Sequence, residues 1–190
     1  MTETGGKVLP ATGKWTIDSV HSFVAFSVEH FTVAFARGIA AGPTGSITIA
    51  PDVTDSEVEA IIDVSTISTA NAARDALIQG PDVLDIEHFK TIDFHSHSLR
   101  ALGGDRFAVD GHLTMHGVTK PVTLDLVFNG VIEDSFGKTR LGLTATTDLN
   151  RNEFGSGEWA FRELASGGFM VPHVVQVTLE IEATKDEPAA

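Results

Sequence analysis

Apolar residues recur at every second position in six separate runs of this chain, and no other feature narrows the fold as much. Val20, Ser22, Val24, Phe26 and Val28 share one parity, against His21, Phe23, Ala25, Ser27 and Glu29. Val58, Ala60, Ile62 and Val64 oppose Glu57, Glu59, Ile61, Asp63 and Ser65. The same pattern places Phe107, Val109, Leu113 and Met115 on one side of a run, and Val122, Leu124, Leu126 and Phe128 on one side of the next. Leu141, Leu143 and Ala145, then Val175, Val177, Leu179 and Ile181, complete the series. Successive side chains of a strand point to opposite faces, so each run reads as a strand with one apolar and one wet face. Such strands pair antiparallel and cover a core on one side only.

Turn signals at Gly42-Pro43, Pro51-Asp52, Gly103-Gly104-Asp105, Asn129-Gly130 and Asp134–Gly137 separate the runs and predict about eight strands, joined mostly as hairpins. One-sided strands in this number must close into a barrel or pack as a sandwich, because open edges invite aggregation. Two segments break the alternation. Thr69 to Gly80 (TANAARDALIQG) predicts a short helix, and Asp82 to Asp85 a further turn. Residues 150–172 are glycine-rich yet carry Phe154, Trp159, Phe161, Leu164, Phe169 and Met170, which predicts a long cover over one end of the β structure or, in its sharper form, a mobile gate. Residues 1–13 are expected as a flexible tail, 14–184 as one domain, and 185–190 as a frayed end.

Lysine and arginine total 13 against 26 aspartates and glutamates, for a formal net charge of −13. A chain this acidic is repelled by nucleic acid and by anionic membrane surfaces. There is no cysteine, which removes disulfides, thiolate metal sites and a cysteine nucleophile. The first residues lack a secretion-signal pattern, so the expected compartment is the cytoplasm, or the periplasm or exterior if a leader was removed.

Four ordered motifs together resemble the YceI-like family of lipid- or polyisoprenoid-binding domains. They are WTIDSVHSFVAFSVEHF from Trp15, the block of residues 63–96 with Arg74-Asp75, GHLTMHGVTKPVTLDL at 111–126, and LNRNEFG at 149–155. The likeness runs from Trp15 to about Ala183. Family members often have histidine where Ala76 stands and proline where Lys90 stands, and many carry a secretion leader. The resemblance implies an all-β fold: an extended, eight-stranded antiparallel lipocalin-like β-barrel with a short helix inserted near residues 70–80. It further implies a tunnel for an isoprenoid or similarly long chain, no catalytic machinery and no cofactor, and it makes a homodimer an expectation.

Parity nominates Val24, Phe26, Val28, Ile62, Val64, Phe94, Leu113, Leu124, Leu126, Leu143, Val175, Val177 and Leu179 as inward residues. They either fill the interior or line a tunnel; alternation leaves the two open, and the resemblance favours the tunnel. His30, Arg74, Asp75, Asn150 and Arg151 lie near predicted element ends and could ring a mouth, with Phe154, Trp159 and Phe161 in the cover. Arg151 either meets a lipid head group or pairs with an acidic neighbour, and Arg74-Asp75 reads as an anchor of the helix to the barrel. Burying a forty-carbon tail from water at ~0.8 kcal/mol per methylene gives about 30 kcal/mol. That exceeds the ceiling of roughly 18–21 kcal/mol for noncovalent binding. The relevant competitor is therefore the bilayer, and the expected role is a carrier or store for a polyisoprenoid or isoprenoid quinone, with at most transient membrane contact.

The alternative is a metal-dependent enzyme that uses surface histidines. His95 and His97 share a strand face, as do His112 and His116, and His21 shares parity with Glu29. Parity sends the first four outward, opposite Ile92, Phe94, Leu113 and Met115, which disfavours a converging site. No nucleophile elbow, Walker loop or dinucleotide fingerprint occurs. The expectation is a binding protein and not an enzyme.

Overall fold

The computed structural model describes residues 3, 4 and 6–186 of the 190-residue chain. A small hairpin of β1 (Glu3–Thr4) and β2 (Lys7–Val8) precedes β3 (Gly13–Ile17), β4 (Phe23–His30), β5 (Ala34–Ala41) and β6 (Thr44–Ile49). Next come β7 (Glu57–Asp63), β8 (Ile67–Ser68) and the helix α1 (Ala72–Gln79). The long strands β9 (Thr91–Gly103), β10 (Arg106–Met115), β11 (Val118–Glu133), β12 (Thr139–Asn150) and β13 (Val174–Lys185) finish the fold.

Eight strands, β3, β6, β7, β9, β10, β11, β12 and β13, pair antiparallel in a ring that closes through β13 on β3. Closure removes the free edges that one-sided strands would otherwise expose. Toward the end of the barrel where β13 begins, the edge of β13 pairs instead with β4, followed by β5 and β8. Thus β4 and β5 continue β3 and β6 beyond two breaks, at Asp18–Ser22 and Gly42-Pro43.

Those breaks correct the sequence reading in two places. Val20, expected in a strand, is 83% exposed in the first break. Gly42-Pro43 is a kink between strands running the same way rather than a hairpin. Asn129-Gly130 is no turn either: both lie inside β11, where the register with β12 shifts between Phe128 and Gly130. The extra residue makes a bulge, which bends a long strand around a barrel. The helix is shorter than expected, starting at Ala72 with the Asn71 side chain accepting from the Arg74 N–H at 3.0 Å and ending at Gly80.

The expected tail of residues 1–13 packs on the barrel from Lys7 onward. The Lys7 ammonium reaches the Asp105 carboxylate at 2.7 Å and the Phe128 carbonyl at 2.8 Å, and the Trp15 indole N–H donates to Ala11 at 2.9 Å. At the other terminus Lys185 is still in β13, and residues 187–190 of the expected frayed end lie outside the described residues. In the half of the barrel next to this N-terminal segment, the floor, Trp15, Phe107, Phe128 and Leu141 are all buried.

Arg140 ties the floor together from outside. Its guanidinium bonds Asp134 (2.6 Å) in the β11–β12 hairpin, Asp18 (2.5 Å) in the first break and Glu182 (3.3 Å) on β13. The Arg140 hydrogen bond, seconded by His21, holds the Asp18 carboxyl well below the usual carboxylate range, and Arg140 does the same to Asp134. A depressed carboxylate stabilises the fold above its unfolded pKa and loses that contribution as pH falls through the folded value. Melting temperature is therefore expected to fall on acidification below about pH 4. In Arg140→Met that acid-dependent part shrinks, which a pH series of thermal melts checks; parallel curves for the two proteins would contradict it.

Candidate functional site

The inward faces of the strands do not fill the barrel. Alanine at positions 36, 40, 60 and 145 keeps the wall thin. Two inward phenylalanines lie over glycines on neighbouring strands, so their rings take little space from the centre. A Cβ on Gly38 would clash with the Phe26 ring, and one on Gly111 with the Phe94 ring. What remains is one continuous cavity of about 480 Å³. That lies within the roughly 300–1,000 Å³ of small-molecule sites. Along β13 the wall runs from Val175 to Ile181. At ~3.3 Å per residue and a tilt of about 40°, this is about 15 Å of depth.

Twelve of the thirteen residues nominated by parity face this cavity: Val24, Phe26, Val28, Ile62, Phe94, Leu113, Leu124, Leu126, Leu143, Val175, Val177 and Leu179. Val64 does not. It is buried, but in a 3-10 turn (Val64–Thr66) that the Asp63 side chain caps, so strand parity ends one residue earlier.

Polar groups are confined to the end of the cavity opposite the floor. His30, Thr69, Arg74, Thr147, Arg151 and Ser156 line it there, beneath a cap formed by residues 151–173. Helix α1 contributes Leu77 and Ile78, and the cap contributes Trp159, Ala160, Met170 and Val171. The cap is tied to the β4–β5 hairpin, whose Phe31 N–H donates to Met170 at 2.8 Å, and to the α1–β9 connection, where Asp82 accepts from the Gly157 N–H at 2.7 Å.

Arg151 does not pair with an acidic neighbour, one of the two roles foreseen for it. Its buried guanidinium has no carboxylate partner among the described residues and donates to the carbonyls of Ser156 (2.8 Å), Val171 (3.0 Å), Pro172 (3.1 Å) and Gly157. Both limbs of the cap therefore converge on one cation at the barrel rim. Burial pushes its pKa below the ordinary arginine value. Of the expected cover residues, Trp159 faces the cavity and is 40% exposed. Phe154 is buried under the rim, its carbonyl bonded to His116 Nδ1 at 3.2 Å, and Phe161 stacks between Phe169 and His173 at centroid distances of 4.4 and 3.6 Å. Asp75 accepts from Ser68 Oγ and from the Thr69 N–H and hydroxyl, while Arg74 donates to Thr69. This pair ties the start of the helix to the end of β8 and the residue after it. Asn150 caps the 3-10 turn that opens the cap.

A YceI-like domain model matches residues 15–183. The chain belongs to the YceI-like family. UPF0312 proteins of Pseudomonas putida and Pseudomonas fluorescens are 36% and 34% identical to it over 155 residues, 80% of this chain and 80% of each relative. Among solved structures, Burkholderia cenocepacia BcnA aligns with a TM-score of 0.73 at 20% identity, over 88% of this chain and 99% of that one. A polyisoprenoid binding domain from Saccharophagus degradans gives 0.71 at 16% identity, over 90% and 98%. These likenesses show the fold, a closed eight-stranded antiparallel barrel with one short helix.

Sequence reasoning missed several wall residues of this YceI-like barrel. Val122 and Ala145 shared the nominated parity and were open to discovery. Leu77, Ile78, Val83 and Leu84 were not, since they reach the cavity from the helix and the connection after it, where no strand period applies. Among the described residues, His95, His97, His112 and His116 do not converge on one site. His95 sits exposed, 3.6 Å from Glu59, and the exposed His97 meets the His112 ring edge-on at 5.0 Å. His116, expected outward, is half-buried in the β10–β11 turn and faces the cap. Among the described residues, the three-ligand group close enough for a metal is Asp18, His21 and Glu182 instead. The Arg140 guanidinium bonds both of its carboxylates, so a cation already holds that place.

Proposed function

We propose that this barrel binds one long-chain apolar lipid, a polyisoprenoid or isoprenoid quinone, and carries or stores it in exchange with membranes. The observation that carries the reading is the continuous apolar cavity of about 480 Å³ whose polar groups gather at one end only. An amphiphile with one polar head and a long tail matches that distribution. The binding named in the description of the Saccharophagus degradans domain agrees with it.

The depth of about 15 Å equals half the ~30 Å hydrocarbon thickness of a bilayer. A tail within it exchanges one leaflet's worth of apolar surroundings for another, so transfer from bilayer to barrel is near neutral and reversible. A longer tail folds back or leaves its end at the mouth. The same geometry supports a binder over a catalyst: among the described residues no acid, base or nucleophile pair converges on the cavity, and its two arginines are held by carbonyl and hydroxyl oxygens.

Mass spectrometry of an organic extract of the purified protein is expected to give about one lipid per chain. The emptied protein should take up labelled prenyl lipid from neutral vesicles. If extraction yields no lipid and none transfers from vesicles, the reading is wrong.

A further inference from the structure

A second apolar cavity lies in the same barrel beneath the first. Its volume is about 50 Å³, and Leu9, Pro10 and Val53 close it from below. Four side chains, Ile47, Val58, Leu126 and Leu143, line both cavities. They form a partition one side chain thick, contributed by β6, β7, β11 and β12. Below the partition, space is already present and apolar, so no polar cost resists a tail that reaches it.

We infer that this partition is a ruler: Ile47, Val58, Leu126 and Leu143 set the longest tail that the cavity accepts. The inference rests on the proposed lipid reading and adds which residues decide chain length. The position of the lower cavity supports it. Leu9 and Pro10 belong to the N-terminal segment held by the Lys7 bonds to Asp105 and Phe128 and by the Trp15 bond to Ala11. The barrel bottom is therefore closed twice, by a fixed plug and, above it, by the partition. A tail entering from the polar end meets the partition first and stops there.

Removing the partition joins the two spaces. Leu143→Ala deletes three carbons' worth of side chain, and the space below holds one or two methylenes more, a group about the size of a water at roughly 30 Å³. The accepted tail should lengthen by about four to five carbons. Ala145 stands one inward position above Leu143 on β12, so Ala145→Leu should shorten it by about two to three carbons.

The experiment uses unbranched fatty acids, stepped two carbons at a time, displacing a polarity-sensitive fluorescent fatty acid from the delipidated full-length protein. For wild type, affinity should rise by about fourfold per methylene and then level off at a break length. The break should move to longer acids in Leu143→Ala and to shorter ones in Ala145→Leu. The two opposite shifts keep the test valid if one variant folds poorly. A break that stays put in both folded variants overturns the ruler and leaves the lipid reading intact. If wild type binds no member of the series, the lipid reading falls, and the ruler with it.

Discussion

Arg151→Met is expected to loosen the cap while leaving the barrel closed. The guanidinium donates to carbonyls of Ser156, Gly157, Val171 and Pro172, so its loss strips the donor from both limbs of the cap at once. Gly157 also accepts from the Ala160 N–H, which leaves three carbonyls to find water. An unsatisfied buried acceptor costs about 1–3 kcal/mol, and partial access of water at the rim reduces the sum. Local opening of residues 156–172 should become easier by about 2–4 kcal/mol, seen as faster amide exchange there. Methionine keeps the apolar stem and the volume, so the strands should exchange as before. If lipid enters through this end, release should accelerate at least about tenfold, since 1.4 kcal/mol is a factor of ten. Unchanged exchange in the cap would show that Arg151 is not its fastening.

That fastening shows where sequence reasoning stops. The barrel was legible because strand parity is a local signal: twelve inward residues on seven strands could be assigned from every second position alone. Helix α1 was legible from its alanines, although the Asn71 cap starts it three residues later than expected. The failures share a cause, which is that chain direction changed without a change in composition. Val64 keeps the apolar character of its run, but a capped 3-10 turn rotates it off the wall. Asn129-Gly130 has turn chemistry yet serves as a bulge, because β11 must bend to stay in a closed sheet. Arg151 was singled out for its charge, and its acceptors are main-chain carbonyls from residues up to 21 positions away, which no side-chain pattern encodes. The open cavity itself was underdetermined. It follows from alanines in the wall and from glycines beneath Phe26 and Phe94, pairings that depend on cross-strand register.

The chain has two tryptophans, and their removal is expected to have different effects. Trp15 is fully buried, its indole N–H bonded to Ala11 and the Lys185 ammonium 5.7 Å from its ring. It lies on β3 opposite Ile47 of β6 and Lys185 of β13, at the seam where the ring closes. Trp15→Ala should cost about 3–5 kcal/mol from lost burial and the void left behind. For a chain of this size, at about 2–4 °C per kcal/mol, the melting temperature should drop by roughly 6–20 °C. Trp159 is 40% exposed in the cap and closes no seam. Trp159→Ala should change stability by no more than about 1 kcal/mol, yet alter the rate of lipid uptake because the indole stands at the cavity mouth. Fluorescence separates the two sites. The Trp159→Ala protein should emit from a dry core that added lipid barely changes, whereas the wild-type spectrum should shift as lipid enters. Equal losses of melting temperature in the two variants would mean that the cap is part of the cooperative core. A ligand-insensitive wild-type spectrum would place the entry elsewhere on the barrel.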